Sequence, residues 1–215
     1  MSPGRGQQRQ GLARPVRPRD AASLVVLRGR GEAAEVLMGL RGSRHKFIPN
    51  RYVFPGGRLD PADRIMSAVG EIDGAMAERL LPLWPAAKTR ALAAAALRET
   101  FEETGLAFGQ VQEGRIEPDL SAVRYLARAI TPTDSPIRFH ARFFLAEAER
   151  ASGAIAGSGE LLDVRFVAIA EALTWPLVDV TEFVLRELLR RLAGEAPAGL
   201  PFFGYHGGRP RIRYE

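Results

Sequence analysis

Residues 88–104 (KTRALAAAALRETFEET) constrain this chain more than any other stretch. The run of alanine and leucine is strongly helix-forming, and Gly105 stands where a helix takes a left-handed C-terminal cap. Within that helix Glu99, Glu102 and Glu103 lie at i, i+3 and i+4, so three carboxylates project from one face. Ala93, Ala94, Leu97 and Phe101 lie toward the other side, where they can pack on a sheet. Like charges at this spacing repel, and anions near a helix C-terminus oppose the macrodipole. A divalent cation resolves both problems. Clustered carboxylate oxygens suit hard ions, Mg²⁺ or Mn²⁺, better than zinc.

Around this helix the pattern is strands first, then helix, then strands, then helix. Short apolar runs at 21–27 and 34–40, separated by Gly29-Arg30-Gly31, predict a hairpin; 51–54 predicts a third strand stopped by Pro55-Gly56-Gly57. Helix-like pieces occur at 75–81. Further strands are expected at 123–130, 137–146 and 162–167, and a helix at 178–192. In the 137–146 strand Ile137, Phe139, Ala141, Phe143 and Leu145 share one face, while Arg138, His140 and Arg142 share the other. The last segment, 197–215, carries Phe202, Phe203 and Tyr205 and is expected to pack on the body. Together these predict an α/β chain with a mixed sheet between helices.

The chain has no cysteine, which excludes a disulfide framework, a thiolate zinc site and cysteine nucleophilic catalysis. Its three histidines, His45, His140 and His206, lack the H-x-x-x-H spacing of a helical zinc site. The formal charge of +5 favours anionic partners weakly. Residues 1–20 read as a flexible basic tail, with residues 21–215 as one domain. No apolar stretch is long enough to span a bilayer, so a soluble cytoplasmic protein without a membrane partner is expected.

The stretch Arg98-Glu99-Thr100-Phe101-Glu102-Glu103-Thr104-Gly105-Leu106 resembles the right half of the Nudix box, Arg-Glu-aliphatic-x-Glu-Glu-x-Gly-aliphatic. Thr100 is the one departure, a β-branched residue in place of an aliphatic one. The left half of the box begins at a glycine often preceded by Phe-Pro-Gly, here Phe54-Pro55-Gly56-Gly57. The family's pattern puts the arginine fourteen positions after that glycine. Here Gly57 and Arg98 are 41 apart, so 27 extra residues, about 60–86, split the box. The box's first glutamate falls at Asp63 counted from Gly57, or at Arg90 counted back from Arg98. Split boxes resemble a subgroup that includes coenzyme A diphosphatase-like enzymes; Leu37, Met38, Arg41 and Lys46 fall in the register of its upstream pattern, whereas Gly39, Gly42 and Asn50 do not match it.

The resemblance implies a Nudix-like α/β/α sandwich with an insertion inside the box. It implies a hydrolase cleaving a diphosphate linkage in a nucleoside diphosphate derivative, coenzyme A-like or ADP-ribose/NADH-like. Glu99, Glu102 and Glu103 and the Gly56 carbonyl would hold Mg²⁺ or Mn²⁺ acting as Lewis acids, and Arg98 would hold a carboxylate in place. Glu160 is the candidate for a further acidic group, as base or extra ligand; its alternative is a solvated loop carboxylate, and Glu147 and Glu149 are competitors. Arg41, Lys46 and Arg142 are candidates for substrate phosphates. The split box is expected to reunite in space, with the insertion a candidate lid. Two other functions stay open, an RNA-directed hydrolase of the decapping type and a silent nucleotide-binding module. A homodimer also stays open.

Overall fold

The computed structural model describes residues 16–43, 48–195 and 198–215. Eleven strands and four helices are described in it. The strands are β1 (Arg19–Arg28), β2 (Glu35–Arg41), β3 (Tyr52–Val53), β4 (Gly56–Arg58), β5 (Gly109–Gln112), β6 (Arg115–Pro118), β7 (Arg124–Ile130), β8 (Phe139–Glu147), β9 (Leu161–Ala168), β10 (Pro201–His206) and β11 (Arg209–Tyr214). The helices are α1 (Gly74–Leu80), α2 (Ala86–Thr104), α3 (Ile169–Ala172) and α4 (Asp179–Leu192).

Nine strands form one mixed sheet in the order β11-β10-β7-β8-β1-β2-β3, with β4 also on β1 and β9 also on β2. β1 runs parallel to β8 and β10 parallel to β7, while the other pairs are antiparallel. β1 and β2 pair at one end of β1, and β4 takes over at the other, pairing Ala22 with Gly57 and Ser23 with Gly56. This handover brings the Pro-Gly-Gly turn to the middle of the sheet.

Alternation along the central strands sends side chains into two cores. Leu24 and Val26 of β1 and Phe144 of β8 pack with α2, whereas Val25, Leu27, Phe143 and Leu145 pack with α4. The predicted α/β/α sandwich is therefore the observed fold. α2 is buried through Ala91–Leu97 on all sides because the insertion covers its outer surface. Of the residues expected to pack on the sheet, Ala93, Ala94 and Leu97 do; Phe101 is only half-buried. Thr100 and Thr104 are fully buried instead, each donating its hydroxyl to the carbonyl four residues back, at 2.7 and 2.6 Å.

Some boundaries differ from the expectation. β1 begins at Arg19, so Arg19 and Asp20 belong to the sheet rather than the tail; the arginines at 5, 9 and 14 lie outside the described residues. The β5–β6 hairpin and β4 are additional elements. The C-terminal segment does pack on the body, as the hairpin β10–β11 at the end of the sheet.

The insertion is an excursion that returns. Its first turn, a 3₁₀ helix at Pro61–Arg64, is closed by a capping box between Asp60 and Asp63. α1 follows, and a bridge from Val69 to Asp119 ties the excursion to the segment before β7. Met66, Ile72, Met76 and Leu83 pack against the α2 core.

Candidate active site

The two halves of the box meet in space. A Cβ on Gly57 would stand 2.3 Å from the Glu99 carboxylate, so only glycine lets the backbone run this close. Gly56 has φ +152, and a Cβ there would stand 2.4 Å from Ser23 Oγ. Its backbone N–H donates to Glu103 Oε2 at 2.8 Å. Gly105 takes the left-handed cap with φ 75, ending α2 directly after the turn that carries Glu102 and Glu103.

Arg98 binds all the neighbouring acids but Glu103. It donates to Asp63 Oδ1 at 2.7 Å and Oδ2 at 3.1 Å, to Glu99 Oε1 at 3.0 Å and to Glu102 Oε2 at 2.8 Å. Burial alone would lower its pKa, but Asp63 and the two glutamates outweigh that and raise it. Asp63 is fully buried and also accepts from Asp60 N–H at 2.7 Å. Of the two residues at the register of the missing glutamate, Asp63 is thus the one that meets Arg98. Arg90 instead donates to the carbonyl of Met66 at 2.9 Å and fastens the insertion.

Glu103 is the unusual group. Its side chain is 4% exposed, and burial pushes its pKa up to about 8. The Gly56 amide opposes this, while the charges of Glu99 and Glu160 raise it further; Arg41 offsets them least. The Glu99 carboxyl is also raised by burial, against the pull of Arg98.

These groups stand at one end of a cavity of about 680 Å³, within the range of small-molecule sites. Gly56, Gly57, Glu99, Glu102, Glu103 and Glu160 line that end together with Arg41 and Arg58. Val53, Phe54, Phe139, Phe143, Phe203 and Tyr205 form an apolar wall, and Val178–Thr181 at the start of α4 close it. Tyr205 donates its hydroxyl to Asp179 across this end.

Most of the expected site residues are brought together here. Arg142 is not. It is 1% exposed on the opposite side of the sheet, ion-paired with Asp20 and lying 5.0 Å over the Trp84 ring, so the expectation that it binds substrate phosphate is corrected. The reason is strand alternation: Phe139, Ala141 and Phe143 line the cavity, so Arg142 must point away from it. Lys46 lies outside the described residues. Of the competitors of Glu160, Glu147 pairs with Arg124, and neither it nor Glu149 lines the cavity. The expectation of a lid is not met in this structure: none of residues 60–86 lines the cavity, because the insertion's apolar side chains pack on the α2 core. Arg58, Thr131, Ser135 and Tyr205 went unrecognised in the sequence. Only Arg58 carried a signal there, as the cation directly after the glycine pair.

Among the described residues, no three acidic or histidine side chains are grouped so as to hold a metal ion in this conformation. The donor set nevertheless fits a hard cation. Glu99 and Glu103 crowd around the glycine turn and Glu103 is buried without the full compensation that a buried carboxylate requires. Glu102 has a side chain 54% exposed, so it can leave Arg98 for a ligand position.

Neither a family model nor a curated protein matches this sequence. Solved structures do. A Nudix hydrolase from Alicyclobacillus acidocaldarius is similar with a TM-score of 0.62 and 28% identity, over 80% of this chain and 91% of that one. The chain has the fold of a Nudix hydrolase. More distant structures share the hydrolase fold: a MutT protein from Bacillus halodurans (TM-score 0.51, 15% identity, 90% and 97% covered) and a MutT Nudix hydrolase from Burkholderia pseudomallei (0.50, 18%, 80% and 99%). No described helix of the chain is long and apolar enough to cross a membrane.

Proposed function

We propose that the enzyme hydrolyses a diphosphate linkage in a nucleoside diphosphate derivative, with Mg²⁺ or Mn²⁺ held by Glu99, Glu102, Glu103 and the Gly56 carbonyl. The observation that carries this is Glu103, a buried carboxylate pressed by Glu99 and Glu160 at the polar end of a cavity whose other wall is aromatic. When bound, the cation supplies Lewis acidity toward the diphosphate oxygens. Arg98, anchored by Asp63, holds Glu99 and Glu102 in position. Arg41 and Arg58 receive the phosphates, with Lys46 as a further candidate. Glu160, on the cavity wall beside Glu103, takes the proton from the attacking water. The apolar wall takes the remainder of the substrate; coenzyme A-like and ADP-ribose/NADH-like molecules are the candidate classes.

Product analysis with Mg²⁺ and a panel of coenzyme A, ADP-ribose, NADH, dinucleoside polyphosphates, nucleoside triphosphates and capped RNA tests this. The expected result is cleavage within a diphosphate of one of the small substrates. Turnover of capped RNA alone would replace the proposal with the decapping function.

A pH dependence follows. Ligation requires the Glu103 carboxylate, whose pKa without metal is pushed up to about 8. Metal affinity should therefore fall as pH drops below that value, by up to about tenfold per pH unit for this one proton. Titration of Mn²⁺ binding between pH 6 and 9 checks it; a flat profile would contradict the assignment of Glu103.

A further inference from the structure

The cationic face of β8, Arg138-x-His140-x-Arg142, has no part in the proposed reaction, and it leads to a second cavity. This cavity, about 220 Å³, is lined by Arg138, Arg211, Arg213, His206 and Phe202, with no Asp or Glu in its lining. It shares the segment Ile130–Pro132 and Tyr205 with the active-site cavity as a common wall.

Arg138 is the central observation. It is only 8% exposed, yet it donates to backbone carbonyls, Val16 at 2.7 Å and Thr131 at 3.2 Å, and it forms no ion pair among the described residues. The undescribed residues include no Asp or Glu. A buried guanidinium without an anion is costly unless one is supplied. Two more arginines face the same space from β11, since Gly204 pairs with Arg211 and Phe202 with Arg213. Of the acids nearby, Glu215 is held by Arg128 and is only a long ion-pair partner of Arg213 at 3.8 Å, and Asp179 accepts from the Tyr205 hydroxyl.

The chemistry of the occupant follows from what the site lacks as well as what it has. Phe202 is 6% exposed, and its ring already carries the Arg128 and Arg213 guanidinium groups at 3.9 and 4.8 Å. The Phe202 ring is thus taken up by cations rather than offered to a nucleobase. Guanidinium groups match phosphate oxygens by forked hydrogen bonds. We infer that this second cavity is a binding site for a phosphate or diphosphate group of a small molecule, separate from the carboxylate site.

The test is calorimetric titration of the full chain in excess chelator, which keeps metal from the Glu99–Glu103 site. Pyrophosphate and AMP are the probes, and they separate free diphosphate from a nucleotide monoester as the source. Pyrophosphate, AMP or both should bind at about millimolar concentration or tighter, and Arg211→Ala/Arg213→Ala should weaken that binding roughly tenfold or more. Arg30→Ala/Arg115→Ala removes the same charge elsewhere on the surface and should leave it nearly unchanged. The inference is overturned if neither probe binds, or if the Arg211/Arg213 pair binds as the wild type does. It is also overturned if both double variants lose affinity equally. A short RNA binding well above both probes, and losing that affinity with Arg211 and Arg213, would make the occupant a nucleic acid instead. None of these outcomes depends on turnover, so they are distinguishable from failure of the proposed hydrolysis.

Discussion

Glu103→Gln should lower turnover by roughly two to four orders of magnitude while the protein stays folded. The substitution keeps the shape and a hydrogen-bond acceptor for the Gly56 amide but removes the charge. The stability effect has a definite sign. The folded pKa of Glu103 lies above its unfolded value, so without metal its contribution to stability is complete below the ordinary glutamate range and is lost as pH rises toward about 8. Wild-type stability in chelator should therefore decline over that window, by on the order of a few kcal/mol for this group. The glutamine variant should lack that decline and melt at or above the wild type at pH 8. Full activity in a folded Glu103→Gln protein would contradict the role given to Glu103 in holding the cation.

Asp63→Ala is expected to have the largest effect on folding. It removes a fully buried partner of Arg98 and opens the Asp60 capping box at the start of the insertion. Breaking a buried ion pair by deleting one member typically costs about 3–5 kcal/mol, because the remaining charge is left uncompensated. Arg98 retains Glu99 and Glu102, which places the expected loss toward the lower end of that range. Thermal unfolding measures it. An unchanged melting temperature would show that Asp63 does not anchor the box.

Much of this site can be read from residue types and spacing alone. The i, i+3, i+4 glutamates, the capping Gly105 and the Pro-Gly-Gly turn each impose a local geometry, and that geometry recurs in the fold. The period-two pattern of β8 was equally legible, and it sets Arg142 on the wrong side of the sheet once Phe139 and Phe143 are known to face the cavity. What could not be read is long-range. Asp63 and Arg98 are 35 residues apart, and which of Asp63 or Arg90 meets the box is decided by how the insertion folds back. The same applies to Tyr205, carried into the active-site wall by a parallel pairing of β10 with β7. The buried Thr100 shows the reverse case: its methyl packs as an aliphatic would, and the helix backbone satisfies its hydroxyl.

The most direct test of the metal-dependent reaction is turnover of the preferred panel substrate in excess chelator, followed by addition of Mg²⁺ or Mn²⁺. The carboxylate set Glu99, Glu102 and Glu103 predicts that chelation abolishes hydrolysis and that either cation restores it. Undiminished hydrolysis in chelator would contradict it.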